Sequence, residues 1–264
     1  MRTPLRWLRA VGIGAAVCVV VVTSQADAAA CGNNSQRLGI PAYWGTEGTG
    51  PGLWRRLANE APNASLAIVG IQASGPGPVL LPEVKRVVDR TRSSGVRLLS
   101  YVDTSYTNRP VDTVLADIAN AFIWYGTDGI FLDQAANTCD KLGYYQALHD
   151  YVKSIRPNAL VVLNPGTNTD ECYTKVSDVL VDFEGTYDTY VTWSPSDWVR
   201  AYPAKRFWHL VFGTSCASQM RDVIKKSRQR NAGYVFVTDT ALPNPWNALP
   251  AYWRSELAAL GSSR

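Results

Sequence analysis

Short apolar runs recur along the chain at nearly even spacing, and each one stops on polar or turn-forming residues. They occupy residues 37–44, 65–72, 96–104, 128–134, 159–167, 178–186, 206–214 and 232–240. Runs such as Ala-Leu-Val-Val-Leu at 159–163 and Val-Leu-Val at 179–181 are apolar without alternation, the pattern of strands covered on both faces. Between them lie segments of helical periodicity at 51–61, 82–95, 111–126, 144–155, 169–177, 194–202, 218–232 and 249–260. Pro51 and Pro82 stand at helix starts, where a missing N–H is harmless, and Gly95 stands where a helix should stop. Eight β/α units of this length predict an α/β fold made of one (β/α)8 TIM barrel. An open doubly wound sheet is the competing architecture. A nucleotide-binding version would need a glycine-rich turn after the first strand, but Tyr43-Trp44-Gly45 stands there instead. The glycine-rich stretch 74–78 follows the second strand, and its prolines remove the N–H groups a phosphate cradle requires.

The first residues break the pattern. Arg2, Arg6 and Arg9 precede an apolar stretch from Val11 to Thr23, and Ala26-Asp27-Ala28 offers a small-residue cleavage site. Residues 1–28 therefore read as a secretory signal, with residues 29–264 as the barrel domain and an extracellular location expected. The stretch is shorter than the roughly 20 residues of a membrane span, and no second one follows, so no membrane association is expected after cleavage. Cys31 lacks the Leu three places upstream that lipidation would use. Loss of the leader removes three arginines and one aspartate and leaves the chain nearly neutral, with no basic stripe. A nucleic-acid partner is excluded on that balance. Four cysteines remain, Cys31, Cys139, Cys172 and Cys216, and an even count in an exported chain suggests disulfides. Cys139 with Cys172 is the favoured pair, since both fall in loops after neighbouring strands. With two histidines and no CxxC, neither a metal nor another cofactor is implied.

In a barrel of this kind chemistry gathers where the strands end. Those ends carry Tyr43 and Trp44, Gln72, Asp103 with Tyr106, Asp133 with Gln134, Asn164, Glu184, Thr214 and Asp239. Each acid has a plain structural alternative as a cap or turn residue. Convergence of Asp103, Asp133, Glu184 and Asp239 on one rim favours a polar cleft. Aromatic residues near the same rim, Tyr43, Trp44, Tyr106, Tyr187, Tyr190, Trp193 and Trp246, suit the C–H faces of sugar rings, whereas Trp54, Trp124, Trp198, Trp208 and Trp253 read as core. Glycoside hydrolysis needs one protonated and one ionised carboxyl group. Glu184, beside Phe183 at the end of an apolar run, is expected to have a raised pKa and to serve as the acid. Asp133, with Gln134 and Asn164 near it, is expected to stay ionised as nucleophile or base. Substrate contacts are expected from Tyr43, Trp44, Asp103, Tyr106, Gln134, Asn164 and Asp239.

Six ordered stretches, GIPAYW at 39–44, SGPG at 74–77, SYVDTSYTNRP at 100–110, WYGTDGIFLDQ at 124–134, LNPGT at 163–167 and VDFEGTY at 181–187, resemble the spherulin-4-like family. The resemblance implies a (β/α)8 barrel that cleaves α-1,4-linked N-acetylgalactosamine polymers such as galactosaminogalactan. It also implies that Asp133 and Glu184 are the catalytic carboxylates, that a polysaccharide is the partner, and that a monomer suffices. That family commonly carries Asp-Glu at the fourth strand end, where this chain has Asp133-Gln134, so a second carboxylate role at that strand end is absent. A chitinase-like DGxDxDxE strand fails at the same place, with Phe131 and Gln134 in the decisive positions. The alternative to an enzyme is a carbohydrate-binding, wall- or spore-associated barrel that has lost turnover.

Overall fold

The computed structural model describes residues 36–61 and 64–261; the expected leader and Cys31 lie outside them. Eight parallel strands close into a barrel in chain order: β1 (Arg37–Ala42), β2 (Ala64–Val69), β3 (Arg97–Asp103), β4 (Gly129–Asp133), β5 (Leu160–Leu163), β6 (Val179–Thr186), β7 (Phe207–Phe212) and β8 (Tyr234–Val237). Among the described residues seven α-helices cover it: α1 (Gly50–Asn59), α2 (Pro82–Ser93), α3 (Val111–Asn120), α4 (Leu142–Ile155), α5 (Tyr187–Thr192), α6 (Ala217–Gln229) and α7 (Trp253–Leu260). The architecture is the TIM barrel that the alternating pattern predicts.

The departures lie between β5 and β7. The connection from β5 to β6 carries a 3-10 turn, Glu171–Lys175, and the predicted helix at 194–202 is a 3-10 turn, Asp197–Ala201. Pro195 and Pro203 bracket the latter, and proline cannot continue a helix or donate into one. α5, which the periodicity does not predict, starts where Thr186 Oγ1 accepts the Thr189 N–H at 3.2 Å. Where the full helix is missing, a Cys139–Cys172 disulfide with Cα atoms 6.0 Å apart ties the 3-10 turn to the loop after β4.

At the end of the barrel where strands begin, one device appears twice. Asp128 accepts the Leu98 N–H at 2.9 Å and a two-pronged contact from Arg92 of α2. Asp178 accepts the Val161 N–H at 2.8 Å and pairs with Lys153 of α4 at 2.7 Å. Each carboxylate fixes a strand and an outer helix together, which is a stability role at the end away from chemistry.

The seam between β8 and β1 is short, with pairing only at Arg37–Tyr234 and Leu38–Val235. Thr238 N–H bonds Val211 O on β7, which turns the Val237 N–H toward the β1 side. Glu256 of α7, fully buried, accepts that N–H at 2.8 Å. Burial pushes the Glu256 carboxyl well above the ordinary range, and Asp239 adds to the effect against the Val237 hydrogen bond. An acid with a raised folded-state pKa costs stability as pH rises from its unfolded value toward its folded one, because the unfolded chain ionises first. Glu256→Gln keeps the acceptor and removes the titration. Its melting temperature should exceed that of the parent by a margin that widens as pH rises above the ordinary carboxylate range and vanishes in acid. A constant margin at every pH in thermal melts would refute the assignment.

Candidate active site

β4 delivers the first acid. Its residues alternate, so Phe131 and Asp133 share the inward side. Phe131 packs against Trp208 in the barrel interior, with ring centroids 5.9 Å apart, and Asp133 emerges two residues higher. Tyr101 pairs with Phe131 across β3 and β4, and its hydroxyl donates to Asp133 Oδ2 at 3.0 Å. Asn164, just past β5, donates through Nδ2 to Asp133 Oδ1 at 2.7 Å.

β6 delivers the second acid through an irregularity. Val181 pairs with Trp208, but the next pair is Phe183 with His209, so Asp182 is an extra residue that the ladder skips. Such a bulge reverses the alternation that follows it. Trp208 points into the barrel and His209 away from it, so Phe183 faces outward and Glu184 inward. With unbroken alternation Phe183 would occupy the interior and Glu184 the helix layer. The bulge is fixed from behind: Asp182 Oδ1 lies 3.3 Å from His209 Nε2, both groups are buried, and Tyr190 of α5 bonds His209 Nδ1 at 2.8 Å. Phe183 packs edge-on against Tyr190 at 4.8 Å.

The two acids meet in a cavity of about 490 Å³ at the strand ends, lined also by Tyr43, Gln72, Tyr101, Asn164 and Trp246. The same Asn164 nitrogen that serves Asp133 donates to Glu184 Oε2 at 2.6 Å. The two accepting oxygens are therefore closer to each other than the sum of two hydrogen-bond lengths. Trp246 Nε1 donates to Glu184 Oε1 at 3.2 Å. Tyr43 packs edge-on against Tyr101 at 5.6 Å, and Gly70 lets it do so, since a Cβ there would come within 3.0 Å of the Tyr43 ring.

Burial sets the electrostatics. Glu184 is pushed up to about 7, first by loss of water and then by the Asp133 charge, against the hydrogen bonds from Asn164 and Trp246. Asp133 is also raised, by burial before all else, though the Asn164 and Tyr101 hydrogen bonds oppose it. Asp133, expected to stay ionised beside Gln134 and Asn164, keeps the smaller shift of the two through its stronger donors. Tyr43 and Tyr101 are raised by burial and by the neighbouring carboxylates, so both phenols keep their protons.

Of the remaining residues singled out in the sequence, most serve the scaffold. Trp44 is 7% exposed and packs on Trp54 of α1 at 5.1 Å, on the opposite side of the chain from Tyr43. Asp103 Oδ1 accepts the Ser105 N–H at 2.7 Å, an Asx-type turn, and Asp239 Oδ2 accepts the Ala251 N–H at 3.0 Å. Neither carboxylate lines the cavity. Tyr106 is 55% exposed in a left-handed loop outside the cavity lining. Gln134 also has left-handed backbone, with φ 48°, and its carbonyl accepts the Tyr106 N–H at 2.7 Å, while its side chain is absent from the cavity wall. Tyr187, Tyr190 and Trp193 belong to the outer layer. Tyr101 was missed because attention to strand ends overlooks the inward residue two places below. It shares parity with Asp103, and that signal could have found it.

The spherulation-specific family 4 model matches residues 37–260. Spherulin-4 of Physarum polycephalum is 29% identical over 219 residues, which cover 78% of this chain and 66% of that one. The crystal structure of Aspergillus clavatus Sph3 in complex with GalNAc superposes with TM-score 0.74 and 25% identity, over 85% of this chain and 97% of that one. A chitinase from Chromobacterium violaceum, at 11% identity and TM-score 0.59 over 86% and 99% of the two chains, shares the fold.

The bulge can be tested without any substrate. In His209→Leu the support behind Asp182 is lost, and the Glu184 pKa, read by NMR titration of its side-chain carboxyl, should drop from about 7 toward the ordinary carboxylate range. His209→Gln, which can still donate toward Asp182, should restore most of the shift. An unchanged Glu184 titration in a folded His209→Leu protein would show that the bulge stands unaided.

Proposed function

The chain belongs to the spherulation-specific family 4, and we propose that it is an exported glycoside hydrolase that cleaves α-1,4-linked N-acetylgalactosamine polysaccharide of the galactosaminogalactan type within the chain. The observation that carries this reading is the sharing of one Asn164 nitrogen by Asp133 and Glu184, with Glu184 raised to about 7. It supplies one carboxyl group that holds a proton near neutrality and one that gives it up more readily, across a gap of sugar-bond dimensions. The relative solved with GalNAc supports the sugar class. So does the cavity wall, where Asp133 and Glu184 are the charged groups and, among the described residues, no Lys, Arg or His faces them. An anionic glycan would meet two carboxylates there with no counter-charge.

In this mechanism Asp133 attacks the anomeric carbon while the Glu184 proton passes to the departing glycosidic oxygen, leaving a glycosyl ester on Asp133. Glu184, now ionised, takes a proton from water. That water oxygen bonds the anomeric carbon, and the ester C–O bond breaks to return the Asp133 carboxylate. Inverting enzymes need roughly 6.5–9.5 Å between carboxyl groups to admit a water, and retaining ones roughly 5–5.5 Å. The shared Asn164 contact supports the shorter class. An α-linked 2-acetamido group lies on the same side as the leaving oxygen and cannot displace it from behind, which leaves the attack to Asp133. Tyr101 and Asn164 hold the Asp133 oxygens in line, and Trp246 orients Glu184. Tyr43 offers a phenolic face and a protonated hydroxyl to the bound sugar.

Four measurements decide the proposal. Purified protein incubated with partly deacetylated galactosaminogalactan, with chitin as control, should release oligosaccharides detectable by mass spectrometry from the first polymer. Glu184→Gln should lower kcat roughly a hundred- to ten-thousand-fold while leaving oligosaccharide binding in place; a barrel that only binds sugar would lack turnover in the parent as well. The kcat profile should fall as pH rises through about 7, where Glu184 loses its proton, and should fall again in acid as Asp133 gains one. Proton NMR of the first products should reveal the α-anomer before mutarotation; initial β-anomer would overturn the retaining assignment.

A further inference from the structure

Beside the cavity lies a second depression of about 400 Å³ that the chemistry above does not use. Gln72 and Ala73 border both spaces, so the two meet across the loop between β2 and α2. The far wall is α3, which contributes Thr113, Ala116 and Asn120. The loop is held down onto that helix. Asp117 Oδ1 accepts the Gly77 N–H at 3.3 Å, Asn120 Nδ2 donates to Gly77 O at 2.9 Å, and Gln72 Nε2 donates to Pro76 O at 3.3 Å. Gly75, at φ 152°, lies so close to Asp117 that a Cβ would come within 2.8 Å of Oδ2. The loop can rest on α3 only with glycine there.

The charge of the depression is internally satisfied. Arg109 Nη2 pairs with Asp117 Oδ2 at 2.7 Å, and Nη1 donates to Ser74 O at 2.9 Å and Asp103 O at 2.6 Å. Among the described residues the wall's cation, Arg109, is thus committed to a carboxylate and two carbonyls, which argues against a phosphate or carboxylate ligand. No aromatic side chain among the described residues lines it, which argues against an apolar one. What remains is a floor of small residues edged by amide, hydroxyl and carbonyl groups. That is the chemistry for an uncharged, hydroxyl-rich ligand.

We propose that this depression is a distal subsite for the same glycan chain that occupies the cavity. The polymer leaves the carboxylate pair over Gln72 and lies against α3, and contacts there add affinity without taking part in bond cleavage. The inference rests on the glycosidase reading of the cavity and adds to it a direction of chain exit and a preference for long substrates.

The test uses α-1,4-linked N-acetylgalactosamine disaccharide and hexasaccharide. Their binding to Glu184→Gln protein is measured by titration calorimetry, and their cleavage by the parent is measured as kcat/KM. Ala116→Trp, on an exposed helical position, fills the depression, and Thr113→Trp fills it independently should the first variant fold poorly. The hexasaccharide should bind more tightly than the disaccharide. Either filling variant should cut that preference about tenfold, which is the loss of about 1.4 kcal/mol, and should do so through KM rather than kcat. An undiminished preference in a folded variant, or an equal loss for both lengths, overturns the subsite. If both lengths are bound and cleaved with no preference in the parent, the subsite alone falls. If neither length binds, the subsite and the glycosidase reading fall together.

Discussion

One neutral amide holds two half-buried carboxylates together at the strand ends of the barrel, and the rest of the site is arranged around that fact. Two acids this close in a medium of low dielectric cannot both ionise without a large penalty, and the Asp133 charge adds to burial in raising Glu184. A lysine in place of Asn164 would have relieved the repulsion and fixed both groups as anions. Asn164 gives each acid one hydrogen bond, fixes their separation, and contributes no charge. The pair therefore keeps the asymmetry that burial creates, with Glu184 at about 7 and Asp133 raised less. Unequal donors sustain that asymmetry. Asp133 receives the Tyr101 hydroxyl at 3.0 Å in addition to Asn164, whereas the second donor to Glu184 is an indole N–H at 3.2 Å.

The geometry that lets one amide reach both acids comes from two different uses of the β-strand. On β4 ordinary alternation is enough: Phe131 fills the interior and Asp133 rises above it on the same side. On β6 alternation would have sent Glu184 into the helix layer, and the Asp182 bulge reverses it. A bulge residue that is itself a buried carboxylate is costly unless it finds a partner. His209 on the neighbouring strand brings Nε2 to 3.3 Å from Asp182 Oδ1 without the alignment of a hydrogen bond, and Tyr190 holds the imidazole from its other nitrogen. The short helix α5, unforeseen in the periodicity, is what brings Tyr190 there. A local exception in the strand and a local exception in the helix pattern are thus two parts of one device.

Much of this was legible in the sequence, and the illegible parts have a common cause. The eight strands and the strand-end position of Asp133 follow from uninterrupted apolar runs that stop on a charge. Glu184 could be singled out because it follows Phe183 just past the apolar run at 179–181. Which way each strand-end side chain turns was not legible, since that depends on the last one or two backbone dihedrals. Tyr43 and Trp44 are adjacent and equally aromatic, yet one lines the cavity and the other packs on Trp54. Asp103 aligns with Asp133 in register, yet its carboxylate turns back to the Ser105 N–H. His209 and Asp182 gave no sequence signal because their pairing exists only once the bulge has shifted the register of β6 against β7.

The same reasoning bears on Gln134, where the family resemblance of the sequence implies an acid. The chain leaves β4 through a left-handed residue, and Thr104 Oγ1 binds the carbonyls of both Asp133 and Gln134 at 2.9 Å. Tyr106 N–H adds a third hold at 2.7 Å. Three consecutive residues, Ser105 to Thr107, also carry positive φ, a conformation that costs energy in residues with a Cβ and persists only when neighbours over-determine it. This clamp turns residue 134 away from the cavity while locking the backbone that carries Asp133. A carboxylate at 134 on this backbone would face the loop rather than a bound sugar, so its replacement by an amide leaves the pair at Asp133 and Glu184 intact. The backbone held by Thr104, more than the identity of residue 134, sets where Asp133 stands.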